Sequence, residues 1–165
     1  MRRLAIAALA AFALDQLSKL WVVWGLNLLE LQRIEVAPPY LVFRMAWNRG
    51  INFGLFEGNS DVSRWALVLL SIAVSVFVVT WIRREPQRPL AEISAGLLVG
   101  GALGNALDRV LYGAVADFLN MSCCGYRNPF SFNVADIAIF AGAVGLILFT
   151  GPSKGKPDDA APKAE

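Results

Sequence analysis

Asp117 and Asp136 are the side chains of this sequence best placed to do chemistry. They bracket a polar, aromatic stretch, VADFLNMSCCGYRNPFSFNVADIA, with a long apolar segment on either side. A carboxyl group at the edge of a bilayer costs free energy, so two of them there call for a reason. Two carboxyls a few ångströms apart resist double ionisation and can share one proton, which suits one to activate water and the other to polarise a carbonyl. Other chemistries are excluded or unsupported. The chain has no histidine, which removes His-dependent nucleophile triads, HExxH zinc sites and imidazole relays. Cys123 and Cys124 are adjacent, a spacing that neither staples distant segments nor builds a structural zinc site. No metal or cofactor is expected.

Both aspartates also have plainer readings. Asn133 stands where a helix N-cap belongs, and Asp136 follows it at the spacing of a capping box, so Asp136 could simply satisfy backbone N–H groups. Asp117 could be a solvated loop acid. Asp15 and Lys19 lie at i and i+4, either neutralising each other or turning a polar face towards a site. Asn105, Asp108 and Tyr112 share a helix face, with Arg109 one turn from Asn105. Asp108 and Arg109 either pair with each other, pair with Asp15, or hold a catalytic carboxylate in place. Asn48 and Gly50 read as an ordinary turn, although Asn48 could equally present its amide to a bound peptide.

The elements that must position these residues are membrane helices. The 165 residues are 56% hydrophobic with a formal net charge of +2, and the apolar runs are too long for an ordinary soluble core. The expected architecture is an all-α polytopic membrane protein, a single membrane domain over residues 1–150. Its four transmembrane helices lie at about 4–24, 65–82, 91–112 and 134–150. The opening residues also resemble a secretory signal peptide, with Arg2 and Arg3 before an apolar run and small residues at Ala11 and Ala13. Apolar character resumes to Trp24, however, so a retained span is expected.

Residues 25–64 form an extramembrane excursion. Tyr40 to Trp47 reads as a strand, and Phe53, Leu55 and Phe56 beside Glu57, Asn59 and Asp61 read as a short amphipathic piece on the membrane surface. In the third span Gly96, Gly100 and Gly104 recur every fourth residue, a stripe that lets a neighbouring helix approach closely. Gly113 supplies that helix with a C-cap, putting Asp117 just beyond its membrane end. The second span carries no charge and reads as scaffold. Residues 151–165 are rich in Pro, Ala and charge and are expected to be a disordered cytoplasmic tail. Arg2, Arg3, Arg83, Arg84, Arg88, Lys154, Lys156 and Lys163 crowd short segments on one side, against Arg33, Arg44, Arg49, Arg64 and Arg127 spread over longer loops. The positive-inside rule then puts both termini in the cytoplasm and Asp117, Asp136 and Asn48 outside.

Five motifs, taken in order along this four-span chain, carry a resemblance: DQLSK, NRGINFG, GGALGNALDR, VADF and FNVADIAIF. Together they resemble the lipoprotein signal peptidase family, signal peptidase II, over residues from about 11 to about 150. The resemblance implies a bacterial inner-membrane aspartic endopeptidase that cleaves prolipoproteins immediately before a diacylglyceryl-modified cysteine. It implies that Asp117 and Asp136 are the catalytic dyad, near the periplasmic face. Asp15, Lys19, Asn48, Gly50, Asn105, Asp108, Arg109 and Asn133 match the family's motif positions and are expected to support the site or bind substrate. The excursion resembles the family's small β-cradle with its amphipathic surface helix. Expected partners are lipid-modified prolipoproteins and membrane lipid, with no nucleic acid, and the enzyme is expected to act as a monomer. Ala116 departs from the bulkier apolar residue expected before Asp117. The alternative from a different class is a non-catalytic membrane protein, a transporter component or assembly scaffold, in which Asp117 is a loop acid and Asp136 a cap. The absence of an evident internal duplication disfavours a stand-alone transporter.

Overall fold

Long apolar runs become helices in a bilayer because only a helix or a closed barrel satisfies its own backbone hydrogen bonds there. The computed structural model describes residues 1–50, 60–84 and 88–150. It contains α1 (Arg2–Lys19), α2 (Leu28–Leu31), β1 (Arg33–Ala37), β2 (Leu41–Asn48), α3 (Ser60–Arg84), α4 (Pro89–Tyr112), β3 (Val115–Met121) and α5 (Val134–Phe149). Three helical stretches, Arg2–Gly25, Asp61–Arg84 and Pro89–Tyr112, are long and apolar enough to cross a membrane. The fourth expected span, α5, is apolar but has 16 residues, about 24 Å at 1.5 Å per residue and shorter than a typical hydrocarbon core.

The outside of the helical bundle is apolar, as lipid requires: Ile147 is 81% exposed and Phe140 73%. Its inside is where charged and polar groups are buried, with Asp15, Lys19, Asp108, Asp117 and Asn133 all screened from the surface. Helix α4 is central and packs against α1, α3 and α5. The glycine stripe explains how closely. A Cβ on Gly96 or Gly100 would run into the α1 carbonyl oxygens of Leu4 and Ala8, respectively. On α5, Gly142 does the same towards α4, where a Cβ would meet Leu98 N and Ser94 O at 2.6 Å. Small residues therefore let backbones touch where lipid supplies no hydrophobic drive to press helices together.

After Lys19 the first helix widens into a π-helical stretch, Leu20–Gly25, in which Leu26 N reaches back five residues to Trp21 O at 2.9 Å. The change of pitch turns Val22 and Val23 inward. There they pack with Leu28, Phe43, Met45, Ala116 and Phe118, so the end of the span is fastened to the sheet.

That sheet is antiparallel in the order β1-β2-β3. The expected strand at Tyr40–Trp47 is present as Leu41–Asn48. The expectation of a plain loop after Gly113 is corrected: the stretch opens with β3, which pairs with β2 through Val42↔Asn120, Ala46↔Asp117 and Asn48↔Val115. Val115 through Phe118 are all buried, and a strand covered on both faces shows no alternation to betray it. Gly113 does cap α4, at φ 77°, and returns its N–H to Arg109 O. The expected surface piece at Phe53, Leu55, Phe56, Glu57 and Asn59, and the expected tail at 151–165, lie outside the described residues.

Candidate active site

Asp117 and Asp136 arrive from different elements and meet around one asparagine. Asp117 sits on β3, 3% exposed, and Asp136 in the first turn of α5. Asn133 is the N-cap of α5: its Oδ1 accepts from Asp136 N at 2.9 Å, and its own N–H donates to Asp136 Oδ2 at 3.2 Å. The capping box read from the spacing is therefore present. It does not use up either residue. Asn133 Nδ2 donates to Asp117 Oδ1 at 2.6 Å, so one residue joins the two acids, holding Asp117 by its side chain and the Asp136 carboxylate by its backbone N–H. The other oxygens are also engaged, Asp117 Oδ2 by Asn48 Nδ2 at 3.1 Å and Asp136 Oδ1 by Asn105 Nδ2 at 2.9 Å.

The turn at Asn48 and Gly50 and the site are one structure. Asn48 Oδ1 accepts from Gly50 N at 3.0 Å, which fixes the amide with its NH2 towards Asp117. Gly50 has φ 111°, a region L side chains avoid, and a Cβ there would meet Leu67 Cδ1 at 2.6 Å.

Behind the two acids lies a buried ionic cluster. Lys19 Nζ is 2.7 Å from Asp15 Oδ2 and 2.8 Å from Asp108 Oδ2, and donates at 3.4 Å to Asn105 Oδ1. Asp15 and Lys19 thus pair as their spacing suggests, while Asp108 pairs with Lys19 and not with Arg109. Arg109 donates Nη1 to Asn105 O at 3.2 Å, and its buried Nε has no partner among the described residues. Sequence reasoning missed Gln16. Its Nε2 contacts Asp15 Oδ2 at 3.0 Å, Asp108 Oδ1 at 3.1 Å and Gly104 O at 3.3 Å. The only available signal was its place inside DQLSK, since a glutamine beside an aspartate implies nothing by itself.

The electrostatics suit acid–base work. Burial, and after it the negative charge of Asp136, push the Asp117 carboxyl up to about 6, against the opposing pull of the Asn48 and Asn133 amides and the Lys19 charge. A carboxyl in that range holds or releases a proton near neutrality, as a general acid or base must. The plainer reading of Asp117 as a solvated loop acid is corrected by its burial on β3. Among the described residues no cluster of His, Cys, Asp and Glu is arranged to hold a metal ion.

Known proteins resemble this chain in sequence and in fold. The family described as signal peptidase (SPase) II matches residues 7–150. A lipoprotein signal peptidase of Methylorubrum extorquens is 49% identical over 143 residues, covering 87% of this chain and 82% of its own length. One from Methylobacterium radiotolerans is 43% identical over 157 residues, covering 95% and 90%. Among solved structures, a bacterial membrane enzyme determined by the in meso method at 1.9 Å resolution superposes with a TM-score of 0.76 at 26% identity. The match covers 90% of this chain and 92% of that one.

Proposed function

This chain belongs to the lipoprotein signal peptidase family, signal peptidase II, and on that premise we propose that it is an aspartic endopeptidase removing signal peptides from prolipoproteins, with Asp117 and Asp136 as its catalytic pair. Cleavage falls immediately before the diacylglyceryl-modified cysteine, and membrane lipid is the medium from which the substrate arrives. The observation that carries the reading is Asn133, which holds one oxygen of Asp117 and caps Asp136. A loop acid and a helix cap with no common task would not need the same residue.

In this mechanism the pair binds one proton. The ionised carboxylate takes a proton from water as the water oxygen bonds to the scissile carbonyl carbon. The protonated carboxyl donates to the carbonyl oxygen. When the tetrahedral adduct collapses, the carboxyl that took the water proton gives it to the departing nitrogen as the C–N bond breaks, and the other carboxylate recovers a proton from the adduct's hydroxyl, giving a free carboxylic acid, a free amino terminus and the one-proton pair again, with no covalent enzyme intermediate. Asn48, Asn105 and Asn133 hold the acids in register, and Gly50 keeps the Asn48 turn in its unusual conformation. With four spans, the site lies at the outer leaflet and both termini in the cytoplasm of the bacterial inner membrane, and α5 completes its crossing by local thinning of the bilayer. The enzyme acts as a monomer.

The test is turnover of a diacylglyceryl-modified precursor by the purified protein, with its unmodified twin as comparison. Asp117→Asn and Asp136→Asn are each expected to lower turnover by at least about 10³-fold while the protein still inserts and elutes as a single species. Near-normal turnover by both variants would sink the dyad. Equal cleavage of the unmodified precursor would sink the lipid requirement alone.

A further inference from the structure

The backbone N–H just before each of the two aspartates is spoken for by the buried ionic cluster. Ala116, which precedes Asp117, donates to Asp108 Oδ2 at 3.2 Å. Ala135, which precedes Asp136, donates to Asp15 Oδ1 at 2.9 Å. Lys19 Nζ lies between those two carboxylates at 2.7 and 2.8 Å, and Gln16 Nε2 bridges them a second time. The third ammonium contact leads through Asn105 to Asp136 Oδ1. Asp15, Lys19 and Asp108 are 0%, 2% and 1% exposed, so these bonds do not exchange with solvent.

Resting on the dyad reading above, we propose that Lys19, clamped between Asp15 and Asp108, sets the separation of the Asp117 and Asp136 carboxyls, and that these three are positioning residues for the reaction. Charge neutralisation does not account for the cluster. One aspartate would suffice to pair with one lysine, yet two carboxylates are buried against a single ammonium, and each added buried charge is costly inside a membrane protein. What the second carboxylate gains is a hold on the second segment. Asp108 takes β3 by Ala116, Asp15 takes α5 by Ala135, and Lys19 fixes the distance between them. Gly104 makes room, since a Cβ there would sit 2.7 Å from Asp15 Oδ2. A clamp is needed because two acids sharing a proton repel once that proton leaves, and a displacement of about 1 Å can cost about 10²-fold in rate.

Asp108→Ala tests the clamp, because it leaves Asp15 and Lys19 as a neutral pair and removes the hold on β3 together with one Gln16 contact. With a lipidated precursor the expected result is a fall in kcat of about 10²-fold with KM within about twofold. In a carboxyl-labelled NMR titration, the Asp117 step should fall below about 6, because Asp136 has moved away while burial remains. Lys19→Arg keeps the charge but changes the reach, and is expected to give the same split. Either variant, folded, with kcat within about twofold of the parent and the Asp117 step unmoved would overturn the clamp; if Asp108→Ala does not fold, Lys19→Arg decides it. Should Asp117→Asn and Asp136→Asn remain active, the dyad reading fails instead, so the two failures are told apart.

Discussion

Asn133 has two tasks, and removing it should separate them. Losing the N-cap alone costs about 1 kcal/mol, so Asn133→Ala is expected to unfold only slightly earlier in a thermal or denaturant series. Turnover should fall much further, by about 10²-fold, because Asp117 loses its shortest hydrogen bond and Asn105 Oδ1 its Asn133 donor, while the backbone N–H of residue 133 still holds Asp136 Oδ2. A second prediction concerns Asp117 itself. In the unfolded chain its carboxyl titrates at the ordinary value of 3.8, and in the folded protein at about 6. Between those values the folded state binds more protons, so the contribution of this group falls as pH rises from about 4 to 6 and is level above. The whole effect is on the order of 2–3 kcal/mol at most. Asp117→Asn has no such titration. Its stability relative to the parent should therefore rise across the same window, and a difference that stays constant between pH 4 and 7 would contradict the buried, charge-coupled state of Asp117.

At the scale of elements, α4 is the part most sensitive to added volume. Gly96 and Gly100 face the backbone of α1, and backbone atoms cannot swing aside as a side chain would. Gly100→Ala is expected to lower stability by about 1–3 kcal/mol, read from unfolding in mixed detergent. The loss should extend to activity, because α1 carries Asp15, Gln16 and Lys19 into the cluster. Gly125, by contrast, has open space where a Cβ would stand, although its φ of 83° favours glycine. The glycine stripe was readable from its spacing. Its partners were not, because a row of small residues announces a close approach without saying which helix makes it. β3 was hidden for a related reason: buried on both faces, it lacks the alternation that marks β2.

For the whole molecule, the proposed orientation can be checked with cysteines already present. Cys123 and Cys124 are exposed in the segment between β3 and α5, on the side proposed to face outward. A membrane-impermeant maleimide should label them in intact spheroplasts, and labelling only after permeabilisation would mean the opposite orientation. Membrane helices, the capping box of Asn133 and Asp136 and the likeness to signal peptidase II were all legible in the linear chain, since hydrophobic length, capping spacing and motif order are local properties. So were Asp15, Lys19, Asn105, Asp108 and Asn133 as residues needing an explanation, because charge and amides are costly near hydrocarbon. Which group answers which is a matter of three dimensions. Asp108 meets Lys19 of the distant α1 and leaves its sequence neighbour Arg109 to a backbone carbonyl. Asn48 reaches Asp117 only because β2 pairs with a strand the sequence conceals. Helical periodicity reports which residues share a face of one helix. Only packing, through the glycine contacts and the sheet register, decides which faces meet, and in this protein that choice brings the two acids to a single asparagine.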